Sequence, residues 1–134
     1  MAFLDDLAEL ISGQINEIFV CEVPRDIAKV IGSRTQFAYL SSQTLYKQQK
    51  HHQDITFADY STLPQHMDMA LILHESGQRQ RLHYLYNRSE GQRYVTTLKS
   101  TNDGQRMYVV RFHKARRRQT KSMLERSTIL RPHK

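Results

Sequence analysis

Histidine, lysine, arginine, tyrosine and threonine suffice for metal-free cleavage of RNA, and this sequence spaces them usefully. Lys47 and His51 are four apart, which puts them on one face of a helix, with His52 about 100° further round. Arg111 and His113 are two apart, which puts them on one face of a strand. In that chemistry a base takes the proton of the ribose 2′-hydroxyl, cations stabilise the charge that builds on phosphorus, and an acid protonates the leaving 5′-oxygen. Imidazole suits both proton transfers because it titrates near neutrality. If the Lys47–His51 helix packs across the edge of the sheet that carries Arg111 and His113, the four residues converge. The plainer reading is that His51 and His52 end a helix, where imidazolium interacts well with the carbonyl dipoles.

Other chemistries find less support. His51, His52 and Asp54 form the only local cluster of metal-ligand types, and adjacent helical residues diverge, so no metal and no cofactor is expected. The second half of the chain holds only Glu75, Glu90, Asp103 and Glu125, too sparse for the paired carboxylates of a two-metal nuclease. Neither a Gly-rich phosphate loop nor a Gly-x-Ser-x-Gly elbow occurs.

The elements that must position these residues divide the chain in two. Phe3, Leu4, Leu7, Leu10, Ile11, Ile15, Ile18 and Phe19 recur at helical spacing and predict an amphipathic helix over residues 1–18. Residues 19–66 read as helical with short strands. Phe19-Val-Cys-Glu-Val is β-prone, Pro24 opens a short helix that stops at Gly32, and Phe37-Ala-Tyr-Leu is a strand. Ser41 or Ser42 caps the helix carrying Leu45, Lys47 and His51; Thr56 caps another, limited by Pro64. Residues 67–134 change to strand period. Four β-rich runs begin at Met69, Arg81, Arg93 and Met107, separated by turn residues at 75–78, 87–91 and 101–105. Such connectors predict a four-stranded antiparallel meander, followed by a basic segment with a short helix near Thr120 and an extended end at Ser127 to Arg131. The expectation is one α+β domain over residues 1–134, with N-terminal helices packed on that meander.

Strand parity assigns the faces. Tyr94, Thr96 and Leu98 oppose Arg93, Val95, Thr97 and Lys99; Tyr108, Val110 and Phe112 oppose Met107, Val109, Arg111 and His113. With the Tyr-, Val-, Leu- and Phe-rich faces toward the helices, Arg93, Thr97, Lys99, Arg111 and His113 form an open cationic surface. Arg116, Arg117, Arg118 and Lys121 in the following segment are placed as a phosphate clamp at its rim.

Charge follows the same division. Of the net +7, residues 1–74 carry five basic and nine acidic side chains, and residues 75–134 carry fifteen and four, a local excess of +11. Such an excess attracts polyanions, nucleic acid first among them, or serves as a solvated face. One cysteine excludes an internal disulfide and an all-cysteine zinc cage. No apolar run approaches the ~20 residues of a membrane helix. The start, Met1-Ala-Phe-Leu-Asp-Asp, is acidic where a secretory signal is basic, so a cytoplasmic location away from membranes is expected.

Three phrases together carry a resemblance. Glu22-Val-Pro-Arg-Asp-Ile-Ala-Lys-Val-Ile-Gly, Tyr39-Leu-Ser-Ser-Gln-Thr-Leu-Tyr-Lys and Lys50-His-His-Gln-Asp-Ile-Thr-Phe-Ala-Asp-Tyr-Ser-Thr-Leu-Pro precede the strands. In this order the chain, from about Phe19 to Arg131, resembles the phage and mobile-element branch of the barnase, EndoU, colicin and RelE-like (BECR) nucleases. The resemblance implies helical elements followed by a four-stranded antiparallel sheet. It also implies a metal-independent endoribonuclease of phage or toxin type, to which an acidic immunity protein could bind. The family's helix element falls on Lys47, His51 and His52. Its last-strand polar position falls near Arg111, where relatives often carry Ser or Thr. The alternative function is a non-catalytic nucleic-acid-binding or virion-associated module using the same basic sheet; an adaptor for an acidic protein explains the charge but not the histidines.

Overall fold

The computed structural model describes residues 2–87 and 91–134. Helix α1 spans Ala2–Ile11 and buries Leu7 and Leu10. It ends where Gly13 takes a positive φ of 82°, and the chain turns directly into strand β1, Glu17–Glu22. The helix expected over residues 1–18 is therefore shorter. Ile15, Ile18 and Phe19 fit the helical period by coincidence, while the alternation of buried Ile18, exposed Phe19 and buried Val20 belongs to a strand. Helix α2 (Arg25–Val30) follows Pro24, and strand β2 (Phe37–Ser41) pairs antiparallel with β1.

Local capping sets the next three helices. The Ser41 hydroxyl accepts from the Thr44 amide and starts α3, Ser42–His51. A capping box between Thr56 and Asp59 starts α4, Phe57–Ser61, and Pro64 sits in the first turn of α5, Leu63–Met69. Strands β3 (Leu71–Glu75), β4 (Arg81–Asn87), β5 (Arg93–Ser100) and β6 (Met107–Ala115) then pair successively antiparallel. In the connector expected over residues 87–91, residues 88–90 lie outside the described residues. Helix α6 (Arg117–Glu125) and strand β7 (Ser127–Arg131) complete the chain.

The fold class is α+β, but the sheet has seven strands, in the order β1-β2-β6-β5-β4-β3-β7, where four were expected. β2 joins β6 in parallel over Ala38–Tyr39 and Met107–Tyr108, and β7 adds antiparallel to β3. Both additions are long-range pairings, for which a local hydrophobic pattern carries no signal. No helix among the described residues is long and apolar enough to cross a membrane.

Helices α1 to α5 contribute to the main core on what we term the inner face, against Ile72, Leu82, Tyr84, Tyr94, Leu98 and Phe112. The outer face holds a second, smaller cluster of Leu71, Leu73, Leu85, Val95 and Ala115, with Met123 of α6 packed on it. The register of β5 and β6 shifts between Thr97 and Leu98, which face Arg111 and Val109, so Val110 is an extra residue in β6. This bulge corrects the expected parity. Met107 and Val109 lie in the inner core with Phe112, while Tyr108 and Val110 are half-buried outside it.

Candidate active-site cleft

The outer side chains of three strands stand in register. His83 on β4 pairs with Thr97 on β5, which pairs with Arg111 on β6, and the next row runs Leu85, Val95, His113. Helix α6 covers one side of these rows. Between them lies a cleft of about 490 Å³, whose walls include Glu75, Arg81, His83, Thr97, Arg111, His113, Arg118 and Arg126.

Hydrogen bonds and charge fix its interior. His83 Nδ1 lies 2.9 Å from Thr97 Oγ1, and its Nε2 lies 3.3 Å from Glu75 Oε1, near enough for attraction although the angle forms no hydrogen bond. Glu75 also receives Arg126 Nε at 3.3 Å, and a second nitrogen of that guanidinium donates to Ser122 on α6. One carboxylate thus ties the strand histidine to the end of the covering helix. Burial pushes the His83 imidazole below its ordinary value, as do the charges of Arg81 and Arg111, with Glu75 opposing. Burial, Arg111, His52 and His83 push His113 down to about 4, against the weaker pull of Asp54. Both rings are therefore neutral at pH 7 although arginines surround them.

Helix α3 reaches the cleft from the sheet edge. Beyond Tyr108, no strand pairs with that side of β6 among the described residues, and Gln48 Nε2 donates instead to the buried carbonyl of Phe112. This contact holds the end of α3 beside β6. His52, whose amide caps the helix on the Gln48 carbonyl at 2.7 Å, stacks on His113 with centroids 5.7 Å apart and planes at 26°. His113 Nδ1 is enclosed and has no hydrogen-bond partner.

Of the residues the sequence singled out, Thr97, Arg111, His113 and Arg118 line the cleft and His52 abuts it. Lys47 and His51 are exposed on α3 and do not line it. Arg93 and Lys99 are half-buried toward the ends of β5, away from the cleft walls, and Arg116, Arg117 and Lys121 are exposed around α6. The open cationic surface is thus only partly open. Thr97 is 1% exposed, set between His83 and Arg111 on the flanking strands. Sequence reasoning missed His83, Glu75, Arg81 and Arg126. The available signal was the alternation Arg81-Leu-His, which puts both polar side chains opposite Leu82 and on the face of Thr97.

Cys21 lies 3.8 Å from the Met67 sulfur, and burial pushes its thiol up to about 12, so it stays protonated. Among the described residues no group of three His, Cys, Asp or Glu side chains is placed to hold a metal ion. Comparison with protein-family models, curated proteins and solved structures gives no match.

Proposed function

We propose that the outer-face cleft is the active site of a metal-independent endoribonuclease. The observation that carries this reading is the grouping of two neutral histidines, His83 and His113, around Arg111, with Arg81 and Arg118 in the same walls. Two imidazoles near one guanidinium supply the acid, the base and the phosphorane-stabilising cation of 2′-hydroxyl attack. The resemblance to the BECR nucleases supports the same chemistry.

Environment assigns the roles. Glu75 favours the protonated form of His83, which makes His83 the acid for the leaving 5′-oxygen. His113 has cations and His52 around it, which makes it the base for the 2′-hydroxyl. Arg111 takes the charge that grows on the non-bridging oxygens, and the products are a 2′,3′-cyclic phosphate and a 5′-hydroxyl. A bound phosphate diester raises both histidine pKa values, bringing them toward the range in which proton transfer is efficient. Relative to the sequence reading, the acid–base role moves from His51 to His83 and His113, with His52 as the stacked support.

The test is incubation of purified protein with RNA in EDTA, followed by analysis of the new termini. Cyclic phosphate ends that disappear in His113→Ala support the proposal. RNA that is retarded on a gel but stays intact identifies a binding module and overturns it.

A further inference from the structure

Beyond the reach of α6, the outer face changes character. Phe19 on β1 is 45% exposed and Phe37 on β2 is 47% exposed. Their rings meet edge to face at 5.8 Å, and Phe19 meets Tyr39 in the same way at 6.1 Å. The Arg106 guanidinium lies 4.3 Å from the Tyr39 ring centroid and is held by Glu17, which also accepts from the Tyr108 hydroxyl. Aromatic side chains on the inner face pack with buried neighbours, whereas these two phenylalanines leave nearly half their surface to solvent.

The sheet register joins this patch to the cleft. Phe19 pairs with Tyr39, Tyr39 with Tyr108, Tyr108 with Lys99, and Lys99 with Arg81, which is a wall of the cleft. One row of outward residues thus runs from aromatic to cationic across five strands, roughly 19 Å at the usual strand spacing. Aromatic rings accept the flat faces of unpaired bases, and lysine and arginine accept the phosphates between them.

We propose that Phe19 and Phe37, with Tyr39 beside them, are a stacking platform for unpaired bases of a single-stranded RNA whose phosphate backbone continues along Lys99 and Arg81 into the cleft. The inference rests on the endoribonuclease reading and deepens it by naming the substrate class as unpaired RNA longer than the scissile dinucleotide. A double helix keeps its base faces stacked internally and offers nothing to the two phenylalanines. The passage from aromatic to cationic residues along the row favours this occupant over a second copy of the chain, for which the two cations would be an obstacle.

The experiment uses a short single-stranded RNA made uncleavable by 2′-O-methyl groups and carrying 2-aminopurine, so that binding is read independently of cleavage. The full chain is expected to quench the 2-aminopurine fluorescence. Phe19→Ala with Phe37→Ala should abolish the quenching and weaken binding by about tenfold or more, the usual effect of losing base stacking. Affinity for the same sequence as a duplex should stay as it was. Phe19→Tyr with Phe37→Tyr keeps the ring faces and should restore both signals. Unchanged binding and quenching in the alanine variant overturn the platform. So does a fall from dimer to monomer in sedimentation with RNA affinity unaltered, which makes the face an interface between copies. Stacking observed on a protein that cuts no RNA would leave the platform standing and remove the nuclease reading alone.

Discussion

Phe112 and His113 are neighbours in β6 and belong to opposite worlds. Phe112 is fully buried on the inner face, stacked near Tyr94 and edge-on to Tyr60, in a core that helices α1 to α5 help to build. His113 lies half-buried on the outer face, its Nδ1 enclosed and unbonded, with Arg111 and His52 beside it. The inner face stabilises the fold by burial, which depends little on pH or salt. The outer face keeps titratable rings near like charges, an arrangement that burial and repulsion make unfavourable until an anion arrives. Where a small protein tolerates such a cost, the tolerated groups are candidates for function.

The sharpest way to break this contrast is to truncate the two neighbours separately. His113→Ala should slow RNA cleavage by roughly 10²–10⁴-fold, the usual contribution of a positioned proton transfer, with little change in the thermal midpoint. Phe112→Ala should cost about 3–5 kcal/mol of stability in urea unfolding, as large-to-small changes in aromatic cores do. If His113→Ala unfolded the protein as readily, the outer face would be packing and no more.

A second prediction concerns pH. His113 has its pKa at about 4 in the fold against an ordinary 6.5, so the unfolded chain binds more protons between those values. Its stabilising contribution is complete above about pH 6.5 and is lost as pH falls toward 4. Melting curves across that window should show falling stability, and His113→Gln should flatten the dependence. RNA binding should run the other way, tightening as pH falls, because protonated imidazole attracts phosphate.

Smaller effects separate the covering helix from the edge helix. Arg118→Ala should reduce the salt slope of RNA binding by about 1, the effect of losing one phosphate contact, uniformly across sequences. His51→Ala and Lys47→Ala, on the exposed side of α3, should leave cleavage close to that of the unaltered chain, whereas His52→Ala should lower it. Activity lost in His51→Ala and kept in His52→Ala would shift the site back along the helix.

Local chemistry was legible in the sequence and non-local pairing was not. The Ser41 and Thr56 caps, the short helix after Pro24 and the strands starting at Arg81, Arg93 and Met107 all follow from side chains acting within a few residues. By contrast, the start of β1 at Glu17 was hidden because Ile15, Ile18 and Phe19 satisfy two periods at once. The insertion of β2 beside β6 and of β7 beside β3 depends on partners far along the chain. Arg111 and His113 were found because their two-residue spacing survives in any register. His83 was missed because its meeting with Thr97 depends on how β4 and β5 align, which the intervening connector decides. Lys47 was carried along with His51 by helical spacing, but the edge contact made by Gln48 delivers His52 instead.

The extra residue at Val110 has a consequence for how this strand can vary. It acts as a phase shifter: Met107 and Val109 before it, and Phe112 after it, all reach the same core although an unbroken alternation would send one group outward. Flattening the bulge with every residue kept would turn Arg111 and His113 into the apolar layer and Phe112 into water, whereas removing Val110 itself would leave a regular ladder with both surfaces in place. At its present length the strand therefore depends on the bulge to keep the two surfaces apart. Among descendants of this sequence, single deletions should be tolerated in the connectors and at Val110 and purged from the regularly paired stretch Phe112 to Ala115.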